Sequence, residues 1–75
     1  MVRLTDELEQ RRLQRLVLQL EYELRTYRSV THGADHVGDV KLWRKAARIA
    51  GQRLGMPVRT GVSSDGTKVW ASEGP

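Results

Sequence analysis

Cysteine is absent from this chain of 75 residues. That excludes disulfides and thiolate zinc sites, and makes a reducing, cytoplasmic setting the default expectation. No run of 18 apolar residues occurs, and the opening stretch MVRLTDELEQRRLQRL is charged throughout. Neither a membrane span nor a signal peptide is therefore expected. Phenylalanine and asparagine are missing, aromatic residues amount to 5%, and the seven glycines are scattered with no lysine placed as in a phosphate-binding loop. With no cysteine nucleophile, with Ser63 and Ser64 beside a turn and with no readable pair of buried carboxylates, neither enzymatic activity nor a cofactor is expected. His32, Asp35, His36 and Asp39 have ligand chemistry, but Gly33 and Gly38 break up the segment. It reads as a polar loop in preference to a metal site.

One further absence is local. Residues 40 to 64 contain no acid, although Lys41, Arg44, Lys45, Arg48, Arg53 and Arg59 fall there. The net charge of +4 is therefore unevenly spread: residues 1 to 39 carry six Arg against seven acids, whereas residues 40 to 75 carry seven Lys or Arg against Asp65 and Glu73. Such asymmetry points to a polyanionic partner for the basic half. The alternative use of such charge is solvation of a surface helix.

Apolar spacing predicts an α+β chain, a single small domain over 1–75. A long amphipathic helix is expected over 5–28, opening at Thr5 as cap with Asp6 and Glu7 at the positive end of its dipole. Leu13, Leu16, Val17, Leu20, Leu24 and Tyr27 form its main stripe, while Leu4, Leu8, Leu18 and Tyr22 fall together on another side. Residues 29–39 read as a loop. A second, basic amphipathic helix follows over 40–54, with Asp39 as cap and Gly55 and Pro57 as stop signals. Leu42, Trp43, Ala46, Ala47, Ala50 and Leu54 share one of its faces, whereas Lys41, Arg44, Lys45, Arg48 and Gln52 share the opposite one.

The tail predicts a β-hairpin, 58–62 with 67–71, turning at Asp65-Gly66. This register sets Val62 against Val69, Thr60 against Ala71 and Trp70 against Gly61, so that Arg59, Lys68 and Trp70 share a face. Trp70 then either covers the strand glycine or stacks on a ligand, and packing is the preferred use. A basic helix leading into a hairpin resembles the recognition helix and wing of winged-helix proteins, but the two preceding helices and their turn are not evident. The likeness is an analogy of arrangement. Separately, WRKAARIAGQRLGMPVRTGVSSDGTKVWA, with its LGxPVRT and VWA motifs, in a chain that uses ten Arg to three Lys, resembles a segment of small Arg-rich proteins of high-G+C bacteria and their phages. That resemblance implies no particular activity.

At 1.5 Å per residue the first helix spans about 36 Å and the second only about 22 Å. The uncovered leucines suggest a homodimer through Leu13, Leu16, Val17, Leu20, Leu24 and Tyr27. Taken together, the sequence suggests a DNA-binding protein of bacterial or phage regulator or nucleoid-associated type, with transcription regulation as the implied role. Lys41, Arg44, Lys45, Arg48, Gln52, Arg59 and Lys68 are its candidate contacts to the duplex. A protein-interaction module or inhibitor docking on an acidic protein surface is the rival reading. RNA is less favoured, because no aromatic platform stands out.

Overall fold

The computed structural model describes residues 4–74, and side chains over 6–74. The expected cap Thr5 and the stripe residue Leu4 thus lie outside the described side chains. The architecture is α+β: α1 (Leu4–Tyr27), β1 (Ser29–Gly33), α2 (Ala34–Val37), α3 (Val40–Leu54), β2 (Val58–Val62) and β3 (Lys68–Glu73). The strands form one antiparallel sheet in the order β1-β3-β2, and no helix among the described residues is long and apolar enough to cross a membrane.

The first departure from the sequence reading is at Arg28, which adopts a left-handed φ of 65° and ends α1. Its amide still donates to the Leu24 carbonyl at 2.9 Å. Helices usually make this stop with glycine or asparagine, because a Cβ is disfavoured there. Tertiary bonds fix it instead: the Glu73 amide donates to the Arg28 carbonyl at 2.9 Å, and the Arg28 guanidinium meets Glu73 Oε2 at 3.2 Å.

The second departure is the predicted loop over 29–39, which is ordered as a strand and one helical turn. β1 alternates, with Val30 buried and His32 half-buried between exposed Ser29, Thr31 and Gly33. Period-two burial is the mark of a strand with one covered face. Five residues among glycines gave too short a pattern to read. The Ala34 amide donates to the Thr67 carbonyl at 2.8 Å and ties the start of α2 to the hairpin end.

α3 follows after Gly38 and Asp39, and Asp39 Oδ1 accepts from the Leu42 amide at 3.0 Å. Gly55 closes the helix in the left-handed region at φ 66°, its amide bonding back to the last turn. β2 and β3 pair Val62 with Val69, Gly61 with Trp70 and Thr60 with Ala71, the register read from the sequence, and β3 runs on to Glu73. The tip is a Ser63–Gly66 turn, with the Gly66 amide donating to the Ser63 carbonyl at 2.9 Å and Gly66 at φ 75°. Asp65 sits within this turn, not at a two-residue tip with Gly66. Its carboxylate accepts from the Ser63 hydroxyl and from the amide and hydroxyl of Thr67, which lowers its pKa to about 2.

The core gathers Val17, Leu20 and Leu24 of α1, Val30, Val69 and Ala71 of the sheet, Met56, and Trp43, Ala46, Ala47 and Ala50 of α3. Small residues let α3 lie close, and Gly51 is the extreme case. A Cβ built there would stand 2.5 Å from Val58 Cγ2, 2.9 Å from Val58 Cβ and 3.0 Å from the Met56 carbonyl oxygen. Turning the valine relieves only the first contact. Gly51→Ala is therefore expected to destabilise the fold by about 1–3 kcal/mol of overpacking, against about 1 kcal/mol of gained helix propensity. A urea titration in which Gly51→Ala unfolds later than its parent would contradict this account of the packing.

Candidate nucleic-acid interface

The outward side of α3 holds Lys41, Lys45, Arg48 and Gln52, all exposed. The spacings of 4, 3 and 4 stack them in one row about 17 Å long. No ion pair involves this row among the described residues. The opposite side is anchored by Trp43, Ala46, Ala47 and Ala50, all fully buried, so the row is held rigidly and cannot roll toward the core.

Two other cations of the helix are engaged by neighbouring elements of the same chain. Arg44, expected beside Lys45 and Arg48, is half-buried: its Nε donates to Thr60 Oγ1 at 2.7 Å and Nη2 to the Thr60 carbonyl at 3.4 Å. It ties α3 to β2. On the other flank Arg53 pairs with Glu21 of α1. Both lie a quarter-turn or so from the outward row, close enough to reach a neighbouring element.

Arg59 and Lys68 are exposed, but the structure does not bring them to the α3 row. On β3, Val69 and Ala71 are buried toward the helices, so Lys68, Trp70 and Ser72 point to the other side. The register places Arg59 opposite Ser72 and Gly61 opposite Trp70, on that same outer face. The expected continuous surface is thus two surfaces, one on α3 and one across the sheet.

The residues expected at a subunit interface are also redistributed. Val17, Leu20 and Leu24 are at most 3% exposed within a single chain, and Leu13 and Leu16 are half-buried against the same core. Tyr27 is 66% exposed. Helix length suggested an overhang, and residues 6–12 are indeed exposed, but further along α1, β1 adds cover that two helices alone would not give. What stays outside is the second stripe, with Leu8, Leu18 and Tyr22 between 51% and 59% exposed.

Sequence reasoning missed one polar chain. Trp43 Nε1 donates to His32 Nδ1 at 3.1 Å, and His32 Nε2 lies 3.3 Å from Glu23 Oε1. The two rings meet edge-on, centroids 5.5 Å apart. An indole N–H only donates, so Nδ1 must be the acceptor, and the neutral ring carries its proton on Nε2, directed at Glu23. The chain ends at an indole nitrogen, which is no nucleophile, and its work is to satisfy a buried tryptophan. The only readable signal was a histidine directly after the β-branched pair Val30 and Thr31. His36 sits apart on α2, and Asp39 is spent on its cap. Compared with protein-family profiles, curated proteins and solved structures, the chain has no match.

Proposed function

We propose that this protein binds duplex DNA through the outward face of α3, with Lys41, Lys45 and Arg48 on phosphates and Gln52 within reach of a base edge. The observation that carries the reading is the exposed, acid-free row of cations on a helix whose other face is locked into the core. Helix-turn-helix units are matched only in element order, since α2 is a single turn of four residues before the Gly38-Asp39 link. The likeness to a recognition helix and wing stays one of arrangement, with the hairpin cations on a separate surface. For self-association, Leu8, Leu18 and Tyr22 are the apolar side chains of α1 through which two copies would pair.

A fluorescent duplex titrated at several salt concentrations tests the reading. Three phosphate contacts give a slope of log affinity against log salt of about −3, and changing Lys41, Lys45 and Arg48 together to alanine is expected to bring it close to zero. The fold should persist, because exposed charges contribute little to stability. Salt-insensitive binding, or a triple variant as tight as its parent, would overturn the proposal and leave an acidic protein surface as the better partner.

A further inference from the structure

The outer face of the sheet is covered by neither long helix. The register lays three rows across it: Ser29, Ser72 and Arg59; Thr31, Trp70 and Gly61; Gly33 and Lys68. No carboxylate stands among these eight residues. Trp70 occupies the centre of the middle row on the central strand. A Cβ built on Gly61 would come within 2.6 Å of its Cζ2 and 2.9 Å of its Cε2, so the indole rests on the glycine. That contact accounts for one side of the ring, and Trp70 remains only half-buried.

Along β3, Lys68 precedes Trp70 by two residues, and Arg59 lies across from Ser72, two residues beyond it. The two cations therefore bracket the indole about 13 Å apart along the strand direction. We propose that this face binds an unpaired nucleic-acid strand, one base stacked on Trp70 and its flanking phosphates on Arg59 and Lys68. A duplex keeps its base faces inside the stack, whereas a single strand offers both a π-face and phosphates to such a pairing. The inference rests on the sheet alone and is independent of the reading of α3.

The test titrates a twelve-residue deoxythymidine strand while following tryptophan emission. Trp43 is fully buried, so a change on binding reports Trp70, and quenching is expected. Trp70→Leu keeps an apolar cover on Gly61 but removes the aromatic face. It is expected to abolish quenching and weaken binding about 5- to 100-fold. Arg59→Ala with Lys68→Ala should flatten the single-strand salt slope by about 1.4. Tripolyphosphate, a polyanion without bases, should leave the emission unchanged. Unchanged emission at saturating strand, a Trp70→Leu protein binding as tightly as its parent, or loss of strand binding in the Lys41, Lys45 and Arg48 triple variant would each overturn the proposal. If Trp70→Leu fails to fold, the emission of the unaltered protein decides alone. Because the two surfaces are mutated separately, failure of duplex binding leaves this inference standing, and the converse also holds.

Discussion

Trp43→Ala is expected to unfold most of the protein at room temperature. Trp43 is the largest of the fully buried side chains and stands where α1, α3 and β1 meet. Truncating it costs about 3–5 kcal/mol in lost burial and residual cavity. A chain of this length has roughly 4–11 kcal/mol in total, and small domains without disulfides or metals lie toward the bottom of that range. The loss also strands His32 Nδ1, whose donor has gone. Trp43→Phe separates the two effects: it retains most of the ring volume and removes the N–H, and a penalty of about 1–3 kcal/mol for the unsatisfied acceptor is expected. Urea titrations followed by circular dichroism measure both. A Trp43→Ala midpoint indistinguishable from that of the parent would mean that the core does not depend on this residue.

Leu20→Asp is the second large effect, and it separates core from interface. Leu20 has no exposure within one chain, so an aspartate there is a buried charge with no partner, costing several kcal/mol. The expected result is loss of helical signal at every protein concentration. Were Leu20 a subunit contact, the same change would yield a folded monomer, and sedimentation beside circular dichroism distinguishes the two. Leu18→Asp, on the exposed stripe, is expected to leave the single chain folded and to remove any pairing of two copies through that stripe.

These two leucines show what the sequence carried and what it did not. Helical periodicity placed Leu20 on one stripe and Leu18 on another, and both stripes are real. Periodicity records that a face is apolar; it does not say whether the cover comes from the same chain. The cover came from β1, whose strand character rested on Val30 and His32 alone, too few residues to outweigh Gly33 and Gly38. The hairpin was legible to its register because turn chemistry and alternation agreed at Gly61 and Trp70. The cationic row of α3 was legible as a helical face, yet the withdrawal of Arg44 onto Thr60 was not, since it depends on how near β2 approaches. The split between the α3 row and the outer sheet face was implicit in the alternation of β3, and it became visible only once the helices were known to pack on the Val69 and Ala71 side.

The position of β3 governs how the chain can reach this state. It is the middle strand, yet it follows every other element in chain order. A stretch ending before Lys68 holds two strands with nothing to join them, and its Leu24, Val30 and Trp43 lack the sheet that shields them. Pairing Ser29 with Ser72 spans most of the molecule, so the entropy of closing that loop is met before the contacts that repay it. Assembly is therefore expected to be late and concerted, with β3 acting as a clasp between β1 and β2.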